Sequence, residues 1–453
     1  MRRKKQSNQK KQMKVKMNNA VNIVGAGLAG CEAAWQLAKR GVSVTLYDIK
    51  PNKFTPAHSN KNLAEIVCSN SLKSMDISTA SGLLKAEMER FDSLILRCAN
   101  ACRVPAGNAL AVDREKFSQM VTGEIKKLPN IKFVTEEIES IPNGLTIIAT
   151  GPLTTGKLSQ NLKDFLEQDN LSFYDASSPI VERDSIDMTK AYVKDRYDKG
   201  DGDYINCPMN KEQYLNFYKE LISAQRVELK NFEKKEIFEG CMPVEVMAQR
   251  GEDSLRFGPL KPIGLDNPMT GEKYYAVVQL RPEDKDKRLY NLVGFQTNLL
   301  FPEQKRVFSL IPGLENAKFV KYGVMHRNTY INAPQVLKNT FQTRKREDLF
   351  IAGQLSGVEG YVESTMSGLL SGINAYLYLK NEPLVTLSSN TIMGAITNFI
   401  TTCPQKNFQP MNANFGIVSP LGEKIKDNKL KREKIVARSL EEIDNVVKII
   451  DKE

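Results

Sequence analysis

Hydrophobic patterning begins near Asn19, where VNIVGAGLAG is an apolar run broken by a glycine-rich turn. CEAAWQLAKRG follows with helical spacing and stops at Gly41, and VSVTLYDIK is a second apolar run. Run, turn, helix and run in that order predict a βαβ unit. From there to about residue 75 the period is lost, which predicts a long functional loop. One amphipathic helix is predicted around SGLLKAEMERFDSLILRCANA, and a strand over GLTIIATG that ends at Gly151 and Pro152. Between 186 and 325 the chain turns to Tyr, Asn, Asp, Lys and Pro with short strand-like runs such as YYAVVQLR and YNLVGFQT, the pattern of an inserted α+β domain. DLFIAGQLSGVEGYVESTMSGLLSGINAYLYL then returns to a strand, a glycine turn and a long helix of small residues, so both ends of the chain build one domain. From Leu421 the chain is a charged helical tail with a basic patch between Lys424 and Lys434.

Composition agrees, and charge adds a feature. A length of 453 residues suits two or three folding units, and 41% hydrophobic with 26% charged residues describes a soluble globular chain. No apolar stretch approaches the ~20 residues of a membrane helix, and the Lys-rich start lacks a signal-peptide core, so a cytoplasmic protein without a membrane partner is expected. The net charge is +11, and eight of those charges lie in residues 1–16, leaving +3 for the rest. That arm is equally a solvated tail or a nucleic-acid contact. With only His58 and His326, a multi-His metal site is excluded and no metal is predicted. Seven Cys without a secretion signal point to a reactive thiol rather than a disulfide framework.

Gly25, Ala26, Gly27, Leu28, Ala29 and Gly30 spell GxGxxG between a strand and a helix. The first glycine permits the tight turn, the second lets backbone approach a pyrophosphate and the third lets helix and strand pack closely. Asp48, eighteen residues past Gly30, ends the second strand where a carboxylate meets a ribose. Together these predict a dinucleotide site. ATG at Ala149–Gly151 and IAGQLSG, with Gly353 and Gln354, are similar to elements of glutathione-reductase-type flavoproteins, which favours FAD over NAD. The predicted fold is therefore α/β, a Rossmann-like FAD-binding domain with a smaller α+β domain inserted. Its parts are a disordered arm at 1–18, the FAD-binding domain at 19–185 and 326–453, and the insert at 186–325.

Among the cysteines, Cys31 suits close packing beside Gly30, Cys98 and Cys102 are one helical turn apart in an apolar segment, and Cys207 and Cys403 each precede a proline in a loop. Cys68 and Cys241 differ. In NLAEIVCSNSLKS the apolar run breaks at the thiol with Lys73 nearby, and in IFEGCMPVEVMAQRG Pro243 fits the first turn of a helix just after the thiol. Cations and helix N-termini raise the thiolate fraction, so both are candidate nucleophiles, and with a flavin they also allow a redox disulfide.

Longer blocks carry a resemblance. GAGLAGCEAAWQLAKRGVSVTLYD, LAEIVCSNSLKS, CRVPAGNALAVDREKFS, RYDKGDGDYINCPM, FEGCMPVEVMAQRG, YGVMHRNTYINAP, LFIAGQLSGVEGYVES and QKNFQPMNANFGI resemble the folate- and FAD-dependent tRNA (uracil-5-)-methyltransferase family, TrmFO. The resemblance spans residue 20 to the C-terminal helix and departs at Asp48, where Glu is expected. It implies 5-methyluridine formation with FAD, 5,10-methylenetetrahydrofolate as carbon donor and NAD(P)H as reductant. The implied partner is RNA: uridine 54 of the tRNA T-loop, or a uridine of 23S ribosomal RNA. The chemistry fits: a thiolate adding to C6 makes C5 of uracil nucleophilic, and a methylene carbon needs two more electrons to become methyl. Cys68 and Cys241 match the family's two functional thiols, with their division of labour open. His326 and Arg327 would lie near flavin and folate, and Tyr361 would pack with the pterin. Glu359 and Glu363 would face the folate, Lys406, Asn407 and Asn412 the RNA or pyrophosphate, and Asp113 and Arg114 the FAD end. The rival readings are a flavin-dependent disulfide or NAD(P)H oxidoreductase, which lacks the second GxGxxG it needs here, and a non-enzymatic RNA-binding flavoprotein.

Overall fold

The computed structural model describes residues 20–450, apart from positions 56, 155, 169–170, 199–201, 228–241 and 405–407; the side chains of residues 171–175, 326 and 327 also lie outside the description. The basic arm, Cys241, Lys406 and Asn407 therefore fall outside the described residues.

Ala20–Val24 is the centre of a five-stranded parallel sheet in the order Leu349–Ile351, Thr146–Ile148, Ala20–Val24, Ser43–Asp48, Ile131–Thr135. Strand Thr146–Ile148 is buried throughout and the central strand buries Val21, Ile23 and Val24, whereas Ser43–Asp48 alternates, with only Val44 and Leu46 buried. Helix Leu28–Ala38 buries ten of its eleven residues because helix Tyr361–Lys380 lies directly against it. The small residues set that distance: a Cβ on Gly368 would stand 2.2 Å from the Ala29 carbonyl oxygen, and one on Gly372 2.9 Å from that of Ala33. The C-terminal helix Asn428–Ile450 adds Ile435 and Ile443 to the same core. The α/β, Rossmann-like fold expected from the chain's two ends is the fold observed.

A six-stranded antiparallel sheet forms a second core, in the order Tyr192–Val193, Ile205–Met209, Ala276–Pro282, Leu289–Leu292, Ile180–Glu182, Phe319–Lys321, with helix Lys211–Ser223 packed on it. An antiparallel ribbon of Leu171–Ala176 with Met325–Tyr330 joins the two bodies. We propose this second core as the inserted domain, with its edge at Ile180 because Ile180–Glu182 pairs inside its sheet.

Three expectations change. The single helix over 81–101 is two, Ala80–Arg90 and Leu94–Ala101, broken at Asp92, whose φ is +55°. The break is fixed from a distance: buried Glu32 accepts hydrogen bonds from Ser93 Oγ at 2.8 Å and the Ile95 N–H at 3.0 Å, satisfying the start of the second helix. Cys207 is in no loop; it lies inside strand Ile205–Met209, opposite Val278 and fully buried, and burial raises its thiol pKa to about 12. The loop before residue 75 ends in a short strand, Ser71–Ser74, paired with Ala109–Val112.

Candidate functional site

Gly25 adopts φ +101° at the end of the central strand, and a Cβ on Gly30 would lie 1.8 Å from the Gly25 carbonyl oxygen. Turn and helix can approach this closely only without side chains. Gly27 is different: nothing stands within 4 Å of where its Cβ would be. It precedes helix Leu28–Ala38, whose N-terminus has no side-chain cap, so the first amides are open to an anion. Asp48 accepts the Ala26 N–H at 2.7 Å through one carboxylate oxygen and the Lys50 N–H at 2.8 Å through the other, which ties the turn to the end of the second strand. Gly151 and Gly353, with φ of +74° and +75°, close the opposite side.

These groups line one cavity of about 360 Å³, which runs from Gly25, Gly27 and Asp48 past Gly151, Gly353 and Gln354 to Cys68 and Tyr361. An uncapped helix start, an open glycine and a carboxylate at the strand end are the donor and acceptor set a dinucleotide requires, so the residues present fit FAD. Ala26 and Gly30 shape the turn from behind and do not line the cavity.

At the far end, the loop carrying Cys68 is held from several sides. The Tyr361 hydroxyl meets the Val67 and Cys68 N–H groups at 3.0 and 2.8 Å and lies 2.8 Å from Cys68 Sγ. Arg114 donates to the Ile66 and Val67 carbonyls at 3.2 and 2.9 Å while pairing with Glu283 at 2.7 Å. Arg281 donates to Asn70 Oδ1 and Ser69 Oγ, and Lys321 to the Val67 carbonyl. Burial pushes the Lys321 ammonium below its ordinary value, helped by the Arg114 charge, and pushes the Tyr361 phenol well above 10. Burial also lowers the pKa of His58, which lines the cavity with Nδ1 2.5 Å from Thr55 Oγ1.

Of the residues expected from sequence, the structure brings Gly25, Gly27, Leu28, Ala29, Asp48, Gly151, Gly353, Gln354, Cys68 and Tyr361 to this cavity. His326 is on strand Met325–Tyr330, opposite Asp175, with its side chain outside the described residues. Cys241 also lies outside them; the chain resumes at Met242, and Pro243 precedes helix Val244–Ala248. Glu363 is buried and paired with Lys73 at 2.8 Å, and it also accepts the Ala413 N–H, while Glu359 accepts from Gln354. Asp113 and Arg114 do not reach the dinucleotide end. Asp113 caps helix Arg114–Lys126, and the Arg114 guanidinium is held beneath the Cys68 loop by Glu283, 169 residues away. His58, Glu283 and Arg281 escaped sequence reasoning; the loop around His58 has no period, and the other two look like ordinary polar positions of a strand. Among the described residues no three His, Cys, Asp or Glu stand together as metal ligands, and no helix is long and apolar enough to cross a membrane.

The glucose inhibited division protein A family matches residues 20–383. The chain is 56% identical over 428 residues to the methylenetetrahydrofolate–tRNA-(uracil-5-)-methyltransferase TrmFO of Halalkalibacterium halodurans, covering 94% of this chain and 98% of that one. It is 55% identical over 430 residues to the TrmFO of Bacillus subtilis, covering 95% and 99%. Among solved structures, GidA of Aquifex aeolicus superposes with a TM-score of 0.68 at 14% identity, covering 95% of this chain and 73% of that chain, a likeness of fold.

Proposed function

This chain belongs to the TrmFO family, and from that premise we propose that it methylates C5 of a uridine in tRNA, at position 54 of the T-loop, with 5,10-methylenetetrahydrofolate as carbon donor and NAD(P)H as reductant. The observation that supports this best is the single cavity joining the dinucleotide turn to the Cys68 thiol.

Bound FAD would supply the two electrons that bring a methylene carbon to methyl. The residues that would hold it are the Gly25–Gly30 turn, Asp48, Gly151 and Gly353. Around Cys68, the chain's own groups favour a thiolate: Arg114 and Lys321 bring positive charge to the loop backbone, and the Tyr361 hydroxyl stands against Sγ. Cys241 is proposed as the second functional thiol. One of the two adds to uracil C6, which places electron density at C5, and the other works beside the flavin.

The test is to incubate the purified protein with methylene-labelled folate, NADPH and either tRNA transcript or 23S ribosomal RNA fragments. Label in 5-methyluridine of the tRNA is expected, and Cys68→Ala and Cys241→Ala are each expected to abolish it. Label in ribosomal RNA alone would overturn the tRNA assignment. Rapid NADPH-dependent disulfide reduction without label in either RNA would overturn methyl transfer altogether.

A further inference from the structure

The hydroxyl of Tyr361 has a bonding pattern that assigns it a task. A phenol oxygen has one proton to give and two lone pairs to accept with. At Tyr361 the lone pairs are engaged by the Val67 and Cys68 N–H groups, at 3.0 and 2.8 Å, with the Ser69 N–H a longer third donor at 3.5 Å. Sγ of Cys68, at 2.8 Å, is then the group to which the proton points. The direction matters, because an O–H donated to sulfur stabilises the thiolate, whereas an S–H donated to oxygen would stabilise the thiol. Burial reinforces the donor role, since the phenol pKa stands well above 10 and the proton stays on oxygen at neutral pH.

We propose that Tyr361 is a positioning residue for Cys68: it clamps the 67–68 backbone through its oxygen and gives its proton to Sγ, keeping the thiol in its reactive anionic form facing the cavity. This rests on the proposed function only in taking Cys68 as a working thiol. The resemblance that gave the Tyr361 ring a stacking role assigned nothing to its hydroxyl. The pair stands 293 residues apart in sequence, and the tyrosine is the first residue of helix Tyr361–Lys380, so a rigid element aims the donor. Other charges near the thiol are Arg114 with its partner Glu283, Arg281, Lys321, Glu65, and the Lys73–Glu363 pair beside the same helix start. All of them remain in the variants below, so a difference isolates the hydroxyl.

The experiment follows iodoacetamide labelling of the Cys68 peptide by mass spectrometry in the FAD-loaded enzyme across pH. Removing one hydrogen bond to a charged acceptor in Tyr361→Phe should raise the labelling midpoint by about one pH unit, with the flavin spectrum unchanged. Since the phenylalanine also removes an acceptor from the loop, a second variant carries 3-fluorotyrosine at 361, which keeps the oxygen and donates more strongly. Its midpoint should fall below that of the unmodified enzyme. A changed plateau rate with an unmoved midpoint in both variants would mean a merely structural hydroxyl and would overturn the proposal. Methyl transfer is measured separately. Full transfer by Cys68→Ala would sink the catalytic assignment of Cys68 while leaving the midpoint shift to judge Tyr361.

Discussion

At position 30 there is no room for a methyl group, since it would lie 1.8 Å from the Gly25 carbonyl oxygen. Gly30→Ala must open the turn proposed to face the pyrophosphate, and the purified variant is expected to lack the visible flavin absorption band. Gly27→Ala provides the contrast: nothing lies within 4 Å of the new atom, so that variant should fold and lose flavin only by crowding the cavity. Retention of full flavin by Gly30→Ala would contradict the role assigned to the turn. These glycines were legible in the sequence because a tight turn is a local event, decided by neighbours within a few residues. Cys68 was legible as a thiol at the edge of an apolar run. Its environment was not, because Tyr361, Arg281 and Glu283 come from elements hundreds of residues away.

Helices and strands follow their hydrophobic period where the core is on one side, and depart from it where a distant polar group intervenes. Buried Glu32 fixes the start of helix Leu94–Ala101 inside a stretch expected to be one helix, and Glu87 does comparable work at the C-terminal end of the fold. Its buried carboxylate accepts the Ile392 and Met393 N–H groups at 2.7 and 2.8 Å, and Ser439 of helix Asn428–Ile450 at 2.5 Å. Burial outweighs these donors and pushes its pKa from the ordinary 4.5 to about 7. The folded state therefore holds this proton longer than the unfolded chain does. The contribution of Glu87 to stability is greatest below pH 4.5 and falls as pH rises through about 7, by on the order of 3 kcal/mol. Hydrogen-exchange protection of helix Asn428–Ile450, corrected for intrinsic rates, should accordingly be lower at pH 7.5 than at pH 5.5 (the ~ two units that bracket this titration). Equal protection at both would contradict the titration assigned to Glu87.

On the scale of the whole molecule, the second core serves the site by reaching across to the Cys68 loop. Arg281 and Glu283 sit respectively at the end of strand Ala276–Pro282 and just past it, and the Arg114–Glu283 pair, with side chains 19% and 6% exposed, joins the two bodies beneath the thiol. Glu283→Ala leaves the guanidinium uncompensated and is expected to cost about 3 kcal/mol in denaturant unfolding, while Arg114→Ala combined with Glu283→Ala should cost clearly less than the two single changes added. Strict additivity would show that the pair does not couple the bodies. The fold class, the glycine turn, the small-residue helix and the position of Cys68 at the edge of an apolar run were legible in the sequence alone, since each rests on local period, glycine geometry or the chemistry of a short segment. So was the uneven charge, with eight of the +11 in the first sixteen residues. Only the tertiary structure decided that Cys207 is buried in a strand, that Asp92 breaks a helix and that Arg114 lies beneath the Cys68 loop, paired with Glu283. It also gave the Tyr361 hydroxyl its place against Cys68. In each case the deciding interaction is a hydrogen bond, ion pair or burial between residues far apart in the chain, and no local pattern encodes which distant partner the fold will supply.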